Sequence, residues 1–157
     1  QNRQAINAQE LIAEVVDNLV YADGHLRERV TINCASDLSL FSTREGLVLI
    51  LSNLIENAVK YSPVESQIEV NVSANVEEIK FAVVDHGFGL QPRELKKVFK
   101  MFYRADVTTE RAIAGTGLGL YIVKTLATAL GGQINAESKG HGLGSTFSFK
   151  IPVSQPV

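Results

Sequence analysis

The apolar residues of this chain recur at two periods, and the longer period, of three to four residues, predicts its helices. Over residues 43–60 most of the apolar positions fall on one broad face of a helix, which must pack on the sheet. Ser42 or Thr43 is the expected cap at its start, and Pro63 prevents its continuation. The same spacing, with glycine or proline at the ends, predicts further helices over residues 4–23, 92–99 and 118–130.

The shorter period, strict alternation of apolar and polar residues, predicts strands. It is found over residues 67–74 and 78–85, which a short polar turn around Asn75 joins in the manner of a hairpin. Similar runs are found over residues 30–34, 133–139 and 145–152. Because helices and strands are interleaved and the links are of hairpin type, we predict an α+β fold. Its expected form is a two-layer sandwich with a mixed, mostly antiparallel sheet and the helices on one face.

The length and composition are those of one soluble globular domain. The chain has 157 residues, and its 45% apolar content is enough for a sizeable core. A net charge of −2 predicts no general attraction to nucleic acid or acidic membranes, and neither a membrane-spanning apolar run nor a signal peptide is present. Cys34 is the single cysteine, which excludes an internal disulfide, and its alternating surroundings predict a buried packing thiol. These features predict a cytoplasmic domain.

One flank of the helix predicted over residues 43–60 carries three candidate ligands. Asn53, Asn57 and Lys60 are spaced at i, i+4 and i+7, so they lie on the same side. Amide oxygens suit a hard cation such as magnesium, which also takes phosphate oxygens, and the lysine ammonium suits phosphate. The alternative is that the two asparagines only hydrogen-bond to neighbouring loops.

A carboxylate ends the second strand of the predicted hairpin and is followed at once by a glycine turn. Asp85 begins the motif DHGFG, in which Gly87 and Gly89 permit positive φ and a close approach of the backbone to a flat ligand. A carboxylate fixed there can accept a hydrogen bond from the amine of adenine, whereas guanine presents an oxygen at the corresponding place. An ordinary turn with an Asx cap is the alternative.

A phosphate-binding segment is predicted from the end of the aromatic run VFKMFYR onward. Phe99 and Phe102 are expected in the core, whereas the planar guanidinium of Arg104 suits phosphate oxygens, with a solvated surface charge as the alternative. Three glycines within residues 115–119 lead into the next helix, whose unpaired N–H groups and positive dipole end favour an anion. The spacing fits neither a Walker loop nor a dinucleotide fingerprint.

In this order the motifs resemble those of the catalytic and ATP-binding domain of bacterial sensor histidine kinases. SNLIENAVKYS is similar to the asparagine box of that family, DHGFG to its first glycine box, VFKMFYR to its phenylalanine box and GTGLGLYIV to its second glycine box. GLGSTFSFKIP resembles the closing glycine-and-strand element. The resemblance implies a single domain over residues 1–157, with a core of about 7–153, a Bergerat-type ATP-binding fold and a flexible ATP lid over about 99–117.

The resemblance also implies which residues meet Mg-ATP. Asn57 would ligate Mg²⁺, Asn53 would support the same network, and Asp85 would bind the adenine amine. Lys60 and Arg104 would contact phosphate and, with the two asparagines, form the catalytic set. The nucleotide-binding residues implied in this way are Asn53, Asn57, Lys60, Tyr61, Asp85, Gly87, Gly89, Arg104, Gly115, Thr116, Gly117, Leu118, Gly119 and Leu120.

One position distinguishes the chain from ATP-hydrolysing relatives, which carry a glutamate base one turn before the metal asparagine. Here that position is Asn53, which cannot take a proton, so the resemblance implies transfer of the γ-phosphoryl to another nucleophile. The family's phosphoacceptor histidine lies in a helical motif of HExxTP type, and His25, His86 and His141 have no such surroundings. The chain is therefore expected to be a piece of a longer protein and not to phosphorylate itself.

The expected partners are a dimerisation and phosphoacceptor domain of the same parent protein and a response regulator. We expect the parent protein to be a homodimer, and an anchor in the inner membrane is compatible with this expectation. We expect the fragment to be a monomer that contacts neither membrane nor nucleic acid. Two other functions compete with this one. A serine kinase acting on anti-anti-sigma partners is disfavoured by VFKMFYR, and a non-catalytic nucleotide sensor or scaffold is disfavoured by the presence of Asn57, Lys60 and Asp85.

Overall fold

The computed structural model describes residues 2–20, 23–101 and 119–153. The strands there are β1 (Arg3–Asn7), β2 (Val30–Asn33), β3 (Ser39–Thr43), β4 (Ile68–Ala74), β5 (Glu78–Asp85), β6 (Gln133–Glu137) and β7 (Ser145–Pro152). The helices are α1 (Ala8–Asn18), α2 (Leu26–Arg29), α3 (Arg44–Lys60), α4 (Pro92–Leu95) and α5 (Gly119–Ala129). None of these helices is long and apolar enough to cross a bilayer.

A five-stranded sheet of order β2-β4-β5-β7-β6 forms one layer. The edge strand β2 runs parallel to β4, whereas the pairs β4–β5, β5–β7 and β6–β7 are antiparallel. The register of β5 on β7 places Asp85 directly opposite Ser145. The predicted α+β sandwich with a mixed, mostly antiparallel sheet is therefore confirmed.

The helices α1, α3 and α5 bury their apolar faces on one side of the sheet. Strand β5 shows why the sheet has two different faces, because its residues alternate between buried and partly exposed along the whole strand. Phe81 and Phe149 stack on the buried face with their ring centroids 4.7 Å apart. Full burial of one such side chain stabilises the fold by about 1.5–3 kcal/mol. This core fixes the ends of α3 and β5, where the candidate site lies.

The prediction of one helix over residues 4–23 is wrong at its beginning. Residues 3–7 instead form β1, which pairs antiparallel with β3, a strand that the sequence pattern did not indicate. The side chain of Asn7 accepts a hydrogen bond from the Glu10 amide, so it caps α1 and starts the helix at Ala8. Ile6 is buried opposite Leu40 in the β1–β3 pair, a position that also fits the helical spacing.

Three smaller expectations need correction. Thr43 is the N-cap of α3 but its side chain makes no capping hydrogen bond, because Ser42 and Thr43 belong to β3 and are buried there. The helix predicted over residues 92–99 is confined to α4, with a capping box between Gln91 and Glu94. Cys34 lies just after β2 and is only half-buried, although its burial raises the pKa of the thiol.

Candidate functional site

The exposed flank of α3 presents the three candidate ligands predicted from the sequence. The Asn53 amide nitrogen donates to the Leu49 carbonyl at 2.8 Å, one turn earlier in the helix. This bond turns its Oδ1 toward the start of α5, where a Cβ added to Gly119 would lie 3.1 Å from that oxygen. The second glycine box and the asparagine box therefore meet at this point. Leu120, the next residue of α5, packs against the core.

Asn57 and Lys60 continue the same flank toward the end of α3. Asn57 is half-buried, and its side chain has no hydrogen-bond partner within the described part of the chain. Lys60 is exposed and forms no ion pair with any residue that the structure describes. An amide oxygen and an ammonium group are thus available for a ligand.

The carboxylate of Asp85 is almost completely buried, with 3% of the residue exposed. Its Oδ1 accepts hydrogen bonds from the amides of Gly87, at 2.9 Å, and Ser145, at 3.2 Å. Its Oδ2 accepts from the Ser145 hydroxyl at 3.0 Å. Burial raises the pKa of Asp85 above its ordinary value, and these hydrogen bonds oppose the shift without cancelling it.

A carboxylate offers about four lone-pair positions to donors. Three donors already surround Asp85, two on Oδ1 and one on Oδ2. Within the part of the chain that the structure describes, Oδ2 therefore keeps room to accept one more hydrogen bond. An N–H group of a ligand that reached this oxygen would complete the set, which is the chemistry expected of an exocyclic amine.

The first glycine turn packs directly on the end of α3. A Cβ at Gly87 would lie 1.9 Å from the Tyr61 carbonyl oxygen, and that oxygen accepts a hydrogen bond from the Phe88 amide at 3.1 Å. Only glycine fits such a contact. Tyr61, at the C-cap of α3, is thereby held against the turn that carries Asp85.

A second turn, over residues 138–144, closes the other side. Gly89 has a φ of +70°, and a Cβ there would lie 2.0 Å from the Gly140 carbonyl oxygen. The Ser138 hydroxyl accepts from the Leu90 amide at 2.9 Å and donates to the Gly144 carbonyl at 2.7 Å. Ser138 thus joins the two turns.

Ser138 and Ser145 belong to the site, although no sequence motif had indicated either of them. Ser145 lies in the closing motif GLGSTFSFKIP, but its contact with Asp85 depends on strand pairing across 60 residues. The position of Ser145 directly after two closely spaced glycines was the sequence feature that could have indicated it. Its role became evident only from the register of β5 on β7.

Several predicted residues lie outside the described residues. They are Arg104, Gly115, Thr116, Gly117 and Leu118, together with Phe102 and most of the predicted lid over 99–117. Phe99 is described, and its ring meets that of Phe147 edge-on with centroids 6.2 Å apart. The packing role expected for Phe99 is therefore confirmed.

The donor set also indicates what kind of metal could bind. No group of three or more His, Cys, Asp or Glu side chains that could hold a metal occurs among the described residues. Magnesium needs no such group, since it is commonly held by one or two protein oxygens together with phosphates and water. The amide of Asn57, which has no hydrogen-bond partner among the described residues, fits this requirement.

The family model for the histidine kinase-, DNA gyrase B- and HSP90-like ATPases matches residues 42–155, which include every candidate site residue. The chain belongs to this family. It is 33% identical over 151 residues to the sensor-like histidine kinase SenX3 of Mycobacterium tuberculosis, covering 96% of this chain and 37% of SenX3. It is 32% identical over 156 residues to the sensor histidine kinase WalK of Bacillus subtilis, covering 98% of this chain and 25% of WalK.

The solved structures agree with this assignment at the level of the fold. The catalytic domain of histidine kinase ThkA superposes with a TM-score of 0.80 at 23% identity, covering 99% of this chain and 100% of that domain. The family member described here is therefore a histidine kinase catalytic, ATP-binding domain. It spans 37% of SenX3 and 25% of WalK, so those relatives contain much that this chain does not.

Proposed function

We propose that this domain binds Mg-ATP and donates the γ-phosphoryl group to a histidine on a separate dimerisation and phosphoacceptor domain. The observation that carries the proposal is the placement of Asp85. Its buried carboxylate lies at the end of β5, in a turn packed on the C-terminus of the helix that carries Asn53, Asn57 and Lys60. One end of the site thus suits a purine amine and the adjoining flank suits phosphates.

Recognition of adenine depends on the ability of Asp85 to accept one more hydrogen bond. Its Oδ2 accepts the N–H of the exocyclic amine of ATP, while Ser145 and the Gly87 amide hold the carboxylate in position. Gly87 and Gly89 shape the pocket by allowing the backbone to come close to the ring. Tyr61 lies beside the adenine or ribose, because its carbonyl is fixed to the same turn.

The phosphate end rests on α3 and on the entry to α5. Lys60 neutralises phosphate charge, and Asn53 lies between the two helices beside Gly119. Asn57 would hold Mg²⁺, which supplies charge stabilisation at the β- and γ-phosphates when bound. Arg104 and the amides of residues 115–120 complete the phosphate contacts in this proposal.

In the proposed mechanism the domain positions the γ-phosphoryl group, and Asn53 does not act as a base for water. Asn53 is an amide whose nitrogen is engaged with the Leu49 carbonyl, so it orients a ligand but removes no proton from water. Alignment and electrostatic stabilisation then account for the rate of phosphoryl transfer to the histidine. An asparagine here also disfavours simple ATP hydrolysis.

The wider context follows from the same proposal. Residues 1–157 form one domain with a core of about 7–153, and the segment 99–117 acts as the lid over the nucleotide. The parent protein is a cytoplasmic-facing, homodimeric kinase of a two-component system, and its phosphohistidine passes the group to a response regulator. The fragment itself acts as a monomer.

Phosphoryl transfer in trans tests this function. The chain is mixed with the phosphoacceptor domain of its parent protein and radiolabelled Mg-ATP, and label on the acceptor is measured. We expect label with the wild-type chain, none with an acceptor whose histidine is replaced by glutamine, and a large loss with Asn57→Ala. Binding of ATP without any transfer would support the sensor or scaffold alternative, and equal transfer by Asn57→Ala would contradict the assigned site.

A further inference from the structure

A buried arginine outside the proposed ATP contacts holds the segment that follows α3. Arg29, the last residue of α2, is 5% exposed. Its Nη1 forms an ion pair with Asp23, its Nε donates to the Ser66 carbonyl at 3.0 Å, and its Nη2 donates to the Pro63 carbonyl at 3.2 Å. Each nitrogen of the guanidinium therefore has a partner, as a buried charge requires.

Asp23 is itself fixed on both oxygens. Its Oδ2 meets Arg29, and its Oδ1 accepts from the His25 amide at 2.8 Å. The hydrogen bond from Arg29, and then that from the His25 amide, hold the pKa of Asp23 below its ordinary value. The carboxylate of Asp23, fixed by the His25 amide, thereby orients the guanidinium toward the two carbonyls.

The segment to which Arg29 donates hydrogen bonds is a tight turn over residues 63–66. The Pro63 carbonyl accepts from the Ser66 amide at 3.1 Å and from the Ser66 hydroxyl at 2.7 Å, in addition to Arg29. Glu65 has a φ of +73°, a conformation that residues with a Cβ rarely adopt. A strained backbone conformation persists only where surrounding contacts fix it, and the guanidinium supplies two such contacts, to the Pro63 and Ser66 carbonyls.

The same turn continues directly into the proposed nucleotide site. Tyr61 lies two residues before Pro63, and its carbonyl is fixed to the Phe88 amide and against Gly87. Ser62, between them, is 3% exposed. Displacement of the turn would therefore shift Tyr61 relative to the glycine turn that carries Asp85.

We propose that Arg29, oriented by Asp23, is a positioning residue of the nucleotide site. Its fork holds the turn over residues 63–66 and thereby fixes the end of α3 against the turn after Asp85. The inference rests on the proposed function, because it assigns Arg29 an effect on the affinity of that same site for ATP. Lysine would retain the charge but could not hold two carbonyls and a carboxylate in one plane.

The matched variants are Arg29→Lys and Arg27→Lys, two substitutions of the same kind on α2. Arg27 is exposed, and its Nε donates to Asp17 Oδ1 at 2.6 Å, not to the turn over residues 63–66. Calorimetry at low temperature measures the dissociation constant for Mg-ATP, with circular dichroism to verify that each variant is folded. We expect Arg29→Lys to weaken binding roughly tenfold, about the effect of one lost net hydrogen bond at the site, and Arg27→Lys to leave it unchanged.

A second readout separates positioning from a general loss of stability. Hydrogen exchange at the Phe88 amide reports its bond to the Tyr61 carbonyl. In Arg29→Lys this amide should speed up by a larger factor than the amides that pair β5 with β7, whereas a general loss of stability would speed up both alike. Asp23→Asn should shift both readouts in the same direction as Arg29→Lys. A folded Arg29→Lys variant with wild-type affinity would overturn the inference, whereas failure of the wild-type chain to bind Mg-ATP would overturn the proposed function instead.

Discussion

Replacement of Asp85 by asparagine should separate ligand recognition from folding. An asparagine can keep its Oδ1 on the Gly87 and Ser145 amides, which now donate to the aspartate at 2.9 and 3.2 Å. Its NH₂ group replaces Oδ2 and can donate to the Ser145 hydroxyl. The local fold is thereby preserved, but a donor now faces the adenine amine where an acceptor is required.

The size of the effect follows from the type of hydrogen bond that is lost. A hydrogen bond to a charged group contributes about 1.5–3 kcal/mol. Asp85→Asn should therefore weaken Mg-ATP binding by roughly 10- to 150-fold. Isothermal titration calorimetry measures this change, and Asp37→Asn, at an exposed position, is the matched control that should leave the affinity unchanged.

Asp85→Asn should also change how the free energy of unfolding depends on pH. Burial raises the pKa of Asp85 in the folded chain above its ordinary value of 3.8. The folded state therefore binds the proton more tightly, and Asp85 destabilises the fold as the pH rises from that ordinary value through the higher folded-state pKa. Asparagine does not ionise, so the free energy of unfolding of Asp85→Asn, relative to that of the wild type, should increase as the pH rises above 3.8, the ordinary pKa of this carboxyl. Unchanged ATP affinity in a folded Asp85→Asn variant would refute the assignment of the adenine contact.

Further variants test the packing and the metal end of the site. Gly87→Ala would place a Cβ 1.9 Å from the Tyr61 carbonyl oxygen and should lower the free energy of unfolding in urea by about 3 kcal/mol, near the upper end for overpacking. Gly24→Ala meets nothing within 4 Å and should change it by less than about 0.5 kcal/mol, so equal effects would contradict the contact. Phe81→Ala, in the fully buried core, should lower it by about 3–5 kcal/mol in the same assay. Asn57→Ala should abolish the increase in ATP affinity on adding Mg²⁺ while retaining selectivity for adenine, as calorimetry with and without Mg²⁺ would measure. If Mg²⁺ still increased the ATP affinity of this variant, the metal would bind elsewhere.

The long helix and the hairpin could be predicted because their signals are local. The apolar face of α3 and the stop at Pro63 fix its extent within a residue, and the alternation in β5 follows the burial along the whole strand. Local patterns failed where two structures fit the same residues. Ile6 satisfies both a helical spacing and the β1–β3 pair, and the capping bond of Asn7 decides between them.

The arrangement of the candidate site depends on contacts that no local pattern contains. The order of the asparagine and glycine motifs indicated the family, but not that Ser145 would hold the Asp85 carboxylate from the neighbouring strand. The hydrogen bond from Arg29 to the Pro63 carbonyl joins residues 34 positions apart, and no periodic pattern in the sequence indicates it. The parallel pairing of β2 with β4 was likewise set by tertiary packing, since neither strand carries a mark of its partner.

The central claim is that the carboxylate at position 85 recognises the amino group of adenine, and nucleotide selectivity tests it most directly. Titration of the wild-type chain with Mg-ATP and with Mg-GTP measures both affinities under one set of conditions. The expected result is a preference for ATP of at least about tenfold, the free-energy equivalent of one charged hydrogen bond, which disappears in Asp85→Asn. Equal affinity for the two nucleotides, or no binding of either, would contradict the claim.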